Sequence, residues 1–216
     1  MRRIPALFER LKAEGRPAMI AYLTAGDPSV ERTPSLVQAL TKGGADLIEL
    51  GVPFSDPIAD GPVIQRAVDR ALAAGTSLAS VLDIARDIRS KSNVPILLFT
   101  YLNPVMHYGV EALARDAVAA GIDGCLLTDM SVEEAGSYVD AMRAQGLDTV
   151  FLAAPTSTDR RLALVAKYSS GFVYLVSRTG VTGERKEVSG QATPLVERYC
   201  SLALTLDRSS VSLTAR

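Results

Sequence analysis

The sequence has one histidine, two cysteines and no run of charge of a single sign. With one imidazole, a Ser–His–Asp or Cys–His device has only His107 to use, and no nucleophile-elbow motif accompanies it. His107 lies in "NPVMHYG", a segment that resembles a loop, and is read as a surface histidine. Cys125 in an apolar run and Cys200 near the C-terminus form no CxxC or other ligand spacing. Free thiols suit a reducing compartment, which makes the cytoplasm the expected location. The formal net charge is −1, from 23 basic and 24 acidic residues, so no nucleic-acid or membrane-surface patch is indicated. Small or apolar partners are the better expectation. The start, "MRRIPALFERLKAEGRPAMIAYL", carries charge every few positions and has no sustained apolar region, which excludes a signal peptide or a membrane span there. No GxGxxG follows the first apolar run, which argues against a dinucleotide fold.

What the chain does have is a regular alternation. Apolar runs at 18–26, 45–53, 94–102, 124–130, 149–155 and 171–178 read as six strands, separated by segments with apolar residues three and four apart. Most of those segments end at a glycine fit to cap a helix, and "SVEE" at 131–134 fits a capping box with Ser131 as the N-cap. Strands that are apolar on both faces belong in a parallel sheet covered by helices. Polar or conformationally special residues gather where these strands finish: Thr24 and Gly26, Glu49, Thr100 to Asn103, Thr128 and Asp129, Pro155 and Thr156, Ser177 to Gly180. A barrel builds its site from many strand ends, whereas an open sheet uses one switch point. The expected fold is therefore α/β, a TIM (β/α)8-type barrel in one domain over residues 1–216, incomplete with about six βα units where eight are needed. No seventh unit is apparent in the divergent tail at 200–216.

Within "DLIELGVPFSDPIADGP" (46–62), Glu49 interrupts an otherwise buried strand. A carboxyl group pointing into an apolar barrel is costly to ionise, which suits it to give or take a proton near neutrality. The alternative is a structural carboxylate paired with an interior cation. Asp56 and Asp60 follow on a loop stiffened by Pro53, Pro57, Gly61 and Pro62. Such aspartates usually form turns, and Asp60 could cap the helix that starts near Pro62. Too few further oxygen ligands are apparent for Mg2+, so no metal site is expected. The glycine-rich 177–190 segment suits either a phosphate cradle or a solvated connection. Tyr22, Tyr101 and Tyr174 read as core residues that, near strand ends, could line a pocket for a flat apolar substrate.

"LIELGVPFSDPIADGPVIQRA" (47–67), "YLTAGDP" (22–28) and "YLVSRTGVTGER" (174–185) resemble the tryptophan synthase alpha subunit, from the N-terminal helix to about Glu197. The resemblance implies a (β/α)8 barrel lyase that splits indole-3-glycerol phosphate into indole and glyceraldehyde 3-phosphate. It implies that Glu49 is the general acid/base and that Asp60 accepts a hydrogen bond from the indole N–H. Tyr101, Leu126 and Tyr174 match positions lining the indole pocket, and Thr182 and Gly183 match the mobile loop that closes over the phosphate. Tyr22 stands where many relatives have Phe. Pro53 and Asp56 fall in the loop that meets the beta subunit. No cofactor is implied for this chain. The beta subunit carries pyridoxal phosphate and assembles with the alpha subunit as an α2β2 tetramer.

The family's seventh and eighth strands, with a Phe-Gly-Ile type motif and a Gly-Ser that supply most of the phosphate site, have no counterpart in "LTLDRSSVSLTAR". A reading frame lost around Cys200, or a truncated product, is the expectation. Such a chain would retain its two carboxylates and lose its phosphate anchor, which would reduce catalysis severely. The alternative reading is then a catalytically impaired remnant, at most a module that docks a beta subunit through the 53–60 loop. A different phosphate-binding barrel, such as an isomerase, leaves "LGVPFSDPIADGP" without a role.

Overall fold

The structure is a computed structural model that describes residues 2–176, 192–205 and 212–215. After the helix α1 (Arg3–Glu14) come β1 (Ile20–Thr24), α2 (Thr33–Lys42), β2 (Leu47–Gly51), α3 (Pro62–Ala73), α4 (Leu78–Lys91) and β3 (Ile96–Thr100). The chain continues through α5 (Leu102–Tyr108), α6 (Val110–Ala119), β4 (Gly124–Leu127), α7 (Gly136–Ala144), β5 (Asp148–Ala153), α8 (Asp159–Tyr168), β6 (Phe172–Leu175), α9 (Ala192–Thr205) and β7 (Ser212–Ala215). Each strand lies parallel to the next in chain order, β1 through β7.

The six strands expected from the sequence are all present. The tail, where the pattern indicated no further unit, adds a short seventh strand in register with β6, from Phe172 beside Ser212 to Leu175 beside Ala215. The physical reason is the edge of β6, whose N–H and C=O groups are a template for any extended segment nearby. Two local expectations also change. "NPVMHYG" is the helix α5 rather than a loop, because Pro104 sits in the first helical turn, where its missing N–H has no intrahelical partner to lose. Ser131 does not form a capping box; its hydroxyl donates to Glu133 Oε2 at 2.7 Å, and the segment makes only a 3-10 turn before α7. The capping box that does form is Ser77 with Ser80, at the start of α4. Gly121, expected to end α6, follows its last turn with φ +80°, a left-handed conformation glycine adopts without strain.

Successive side chains of a strand point to opposite faces. Ile48, Leu50, Ile96, Leu98, Cys125, Leu127, Val173 and Leu175 pack outward against the helices. Leu47, Leu97, Phe99, Leu126, Val150, Phe172 and Tyr174 form a second core on the inner face, joined by Ile4, Leu7 and Leu11 of α1. Each such side chain contributes about 1.5–3 kcal/mol on leaving water. The sheet must be curled, because the rings of Phe99 on β3 and Tyr174 on β6 lie 6.4 Å apart. Three strand spacings across a flat sheet would separate them by about 14 Å.

Helix α1 closes the N-terminal end of this curl with two arginines. Arg2 Nη1 donates to Asp148 Oδ1 at 2.7 Å, and Arg3 Nη1 to Asp123 Oδ1 at 2.8 Å. Asp123 also accepts from Arg89 Nη2 and from the Ile96 N–H, each at 2.8 Å, which ties α1, α4 and β3 to one buried carboxylate. The loops that follow β2 and β3 lie at the opposite, C-terminal end of the strands.

Candidate active site

Glu49 is in the middle of β2, whose five residues are all buried, and is itself 3% exposed. It shares its face with Leu47, two residues back, so its side chain is on the inner face. In register it lies between Tyr22 of β1 and Leu97 of β3. The ring of Tyr22 meets Phe99 edge-on at 5.4 Å, and Phe99 meets Tyr174, which gives the concave face an aromatic lining beside Glu49. Leu126, fully buried, continues this lining in register with Phe99. Gly51 makes the arrangement possible, since a Cβ there would lie 2.4 Å from the Tyr22 hydroxyl oxygen. That hydroxyl lies 3.3 Å from Thr24 Oγ1.

Beyond β2 the chain keeps to the sheet for one more residue, with the Val52 N–H donating to the Phe99 carbonyl at 2.9 Å. Pro53 is buried, while Ser55 and Asp56 are exposed. Of the two residues expected to face a partner, only Asp56 therefore presents its side chain to solvent. Two tight turns then return the chain inward: Ile58 N–H to the Asp56 carbonyl at 2.9 Å and Asp60 N–H to the Pro57 carbonyl at 3.0 Å. They deliver Asp60 to a position 4% exposed.

Asp60 does not cap α3. The N-cap is Gly61, without a side-chain cap, and Pro62 occupies the first turn. Instead Asp60 Oδ2 accepts from the Tyr101 hydroxyl at 2.9 Å, and the Asp60 carbonyl accepts from Gln65 Nε2 at 2.9 Å. Tyr101 directly follows β3 and is 3% exposed; the same hydroxyl oxygen accepts the Ala59 N–H at 3.1 Å, and its ring packs on Phe54 at 5.4 Å. Burial, reinforced by the nearby Asp60 carboxylate, holds this phenol well above the usual tyrosine range, so it is a donor at any pH near neutrality.

Thus Glu49, Asp60, Tyr101, Leu126 and Tyr174 are all buried on the inner face or at its C-terminal mouth. Thr182 and Gly183 lie outside the described residues. His107 is exposed on α5. Among the described residues no group of three or more His, Cys, Asp or Glu side chains is placed to hold a metal ion, and no helix is long and apolar enough to cross a membrane. The parts that sequence reasoning missed are Phe54, the Ala59 N–H and Gln65, which fix the loop. Only Gln65 leaves a local signal, five residues after Asp60 in the first turns of α3.

Fold and site together define the class: a (β/α) barrel of the TIM type with two buried carboxyl groups, one on the concave face from a strand and one from the loop that follows it. Comparison with known proteins narrows this. The family model for the tryptophan synthase alpha chain matches residues 8–204, and the chain belongs to that family. It is 72% identical over 197 residues to the tryptophan synthase alpha chain of Solibacter usitatus, a match covering 91% of this chain and 74% of that one. It is 48% identical over 193 residues to the alpha chain of Geobacter sulfurreducens, covering 89% of this chain and 73% of the relative. Among solved structures, tryptophan synthase of Mycobacterium tuberculosis superposes with a TM-score of 0.87 at 36% identity, over 99% of this chain and 88% of the other. The α2β2 tryptophan synthase complex of Pyrococcus furiosus matches with a TM-score of 0.81 at 38% identity, over 92% and 86% of the respective chains.

Proposed function

We propose that this chain cleaves indole-3-glycerol phosphate to indole and glyceraldehyde 3-phosphate by a retro-aldol step, as the alpha subunit of a tryptophan synthase. The observation that carries the reading is the pairing of Glu49, buried on an aromatic-lined concave face, with Asp60, buried at the mouth and fixed by Tyr101. The rings of Tyr22, Phe99 and Tyr174 offer aromatic contacts of the kind a planar indole would use.

In this reading Glu49 transfers protons. It delivers one to the indole ring carbon that bears the glycerol chain and takes one from the adjacent glycerol hydroxyl. The C–C bond then breaks, leaving the aldehyde on one fragment and indole as the other. Asp60 accepts a hydrogen bond from the indole N–H and stabilises the positive charge that grows on the ring as the carbon is protonated. The low-dielectric setting of both groups strengthens that interaction. Thr182 and Gly183 would close over the phosphate. The chain itself uses no cofactor, and its expected setting is the cytoplasm.

The partner in this proposal is a tryptophan synthase beta subunit, which carries pyridoxal phosphate, in an α2β2 assembly. Exposed apolar side chains at Ile58, Val63 and Met106, in the connections that leave adjacent strands β2 and β3, support a docking face next to Asp56.

The test measures indole release from indole-3-glycerol phosphate with and without a beta subunit. Glu49→Gln and Asp60→Asn are each expected to abolish it with an unchanged circular dichroism spectrum. Activity within a few-fold of the parent would refute the roles. Absence of cleavage by the parent, together with stimulation of the beta subunit, would favour the docking-module reading.

A further inference from the structure

Helix α1 meets the sheet through a carboxylate at each of its ends. At the C-terminal end Asp46, just ahead of β2, lies 4.0 Å from Arg10 Nη2 and accepts from Arg16 at 2.8 Å. At the N-terminal end Asp148, the first residue of β5, accepts from Arg2 Nη1 at 2.7 Å and from the Ser170 hydroxyl at 2.9 Å. Between the two, Ile4, Leu7 and Leu11 join Leu47, Leu97 and Phe172 in the inner core. Leu47 is one step below Glu49 on the same face of β2, so α1 is the floor of the concave side.

The two ends are built differently. Asp46 has two bonds from one guanidinium and a third from the Met19 N–H. Asp148 is 0% exposed, and both of its donors reach Oδ1; Oδ2 is buried with no hydrogen-bond partner among the described residues. The cation that faces Asp148 is half in water, with the Arg2 side chain 49% exposed. Gly171 shows how closely α1 covers the group: a Cβ there would meet Ile4 Cγ2 at 3.1 Å and Asp148 Cβ at 3.3 Å. An ionised carboxylate enclosed in this way gives up hydration that its partners return on one oxygen alone. Burial therefore holds Asp148 above the ordinary value of 3.8, opposed by Ser170 and Arg2 and reinforced by Asp123. Arg16 holds Asp46 below that same value.

We propose that α1 is a pH-sensitive plug on the inner core, with Asp148 as the group whose ionisation releases it and Asp46 as the group whose ionisation holds it. A carboxyl group raised in the docked state supports docking fully below its ordinary value and withdraws that support as pH rises through the docked one. A lowered group supports docking above its ordinary value and fails as pH falls through the docked one. With rising pH, Asp46 thus completes its contribution before Asp148 withdraws its own, and α1 loosens toward neutrality. The charged and titratable groups on the elements around Asp148 are Arg2 and Arg3 at the start of α1, and Asp123 ahead of β4 with its partner Arg89 on α4. Tyr168 and Lys167 end α8, where the Tyr168 ring packs on Phe151 at 6.3 Å and Lys167 Nζ lies over that tyrosine ring at 5.3 Å.

The test is amide exchange in the whole chain from about pH 4.5 to pH 8, corrected for the intrinsic rate, which gives opening constants for α1 at Leu7 and Leu11 and for the sheet at Ile48 and Leu98. The α1 constant is expected to exceed the sheet constant and to rise by up to about tenfold per pH unit across the Asp148 transition. Asp148→Asn, neutral throughout, is expected to remove the rise, while Asp46→Asn keeps it.

A rise that persists in Asp148→Asn, a flat profile in the parent, or α1 amides that open only with the sheet would each overturn the proposal. Should Asp148→Asn fail to fold, Arg2→Ala reads the same end through a half-exposed side chain. Without that cation the buried charge is less well supported, so the rise extends to higher pH and α1 opens more at neutrality. A profile unchanged by Arg2→Ala would refute the assignment of Asp148.

Discussion

Replacing Asp123 by Ala tests how the N-terminal end of the barrel is held. The carboxyl group is 5% exposed and accepts from Arg89, from Arg3 and from the Ile96 N–H. Arg89 is 14% exposed at its side chain, and burial pulls its guanidinium below the usual arginine range while Asp123 opposes the shift. Removing one partner of a buried ion pair typically costs about 3–5 kcal/mol, because the other charge is left uncompensated. Here Arg89 keeps its bonds to the Gly121 carbonyl, at 2.8 and 3.0 Å, and to the Ser92 carbonyl at 3.0 Å, which places the cost near the lower end, about 3 kcal/mol. For a chain of this size that lowers Tm by roughly 6–12 °C. Arg3 is 41% exposed, so Arg3→Ala costs about 1 kcal/mol or less. Asp123→Asn, which keeps an acceptor for Ile96 but not the charge, falls between them. Urea unfolding followed by circular dichroism gives all three values. Asp123→Ala within about 1 kcal/mol of the parent, or an Arg3→Ala loss as large, would refute the view that the Arg89 pair carries this end.

Three further outcomes follow from the same geometry. Gly51→Ala drives a Cβ to within 2.4 Å of the Tyr22 hydroxyl, so it costs about 1–3 kcal/mol, and Tyr22→Leu in the same chain recovers part of the loss; strictly additive unfolding energies would contradict the contact. Asp46 accepts from both terminal guanidinium nitrogens of Arg16 at 2.8 Å, and that contact, aided by the Met19 N–H, holds its carboxyl below the ordinary value of 3.8. A folded-state value below the unfolded one gives stability that is present above the unfolded value and fades as pH falls through the folded one. Asp46→Asn therefore flattens the acid limb of urea midpoint against pH, and an unchanged limb would exclude the linkage. Burial pushes the Cys125 thiol up to about 12, so it stays protonated and should resist thiol reagents in mildly alkaline buffer until urea unfolds the chain. Rapid modification of Cys125 in the native protein, mapped by mass spectrometry, would show that the outer core opens.

Much of this architecture is legible in the sequence because a parallel barrel writes its strands as continuous apolar runs. Even the inner position of Glu49 follows from alternation with Leu47. What is not legible depends on contacts between residues far apart in the chain. Asp60 reads as a helix cap, since a loop aspartate just before Pro62 has that role in most contexts, and its bond to Tyr101, 41 residues later, leaves no local trace. Pro104 hides α5, because a proline in the first helical turn looks the same in sequence as one in a loop. The seventh strand, Ser212–Ala215, has four residues and no strong pattern; it exists because the edge of β6 is there to pair with it.

The two buried carboxyl groups are supported in different ways, and this sets how each can be perturbed. Glu49 belongs to a strand paired on both sides, with Tyr22 and Leu97 as register neighbours, so it moves only if the sheet moves. Asp60 is carried by a loop, and its contacts include two tight turns, the amide of Gln65 and the Tyr101 phenol. A buried strand opens with nearly the full stability of the fold, whereas a loop with an exposed tip opens at much lower cost. A local opening of the loop can therefore displace Asp60 without displacing Glu49.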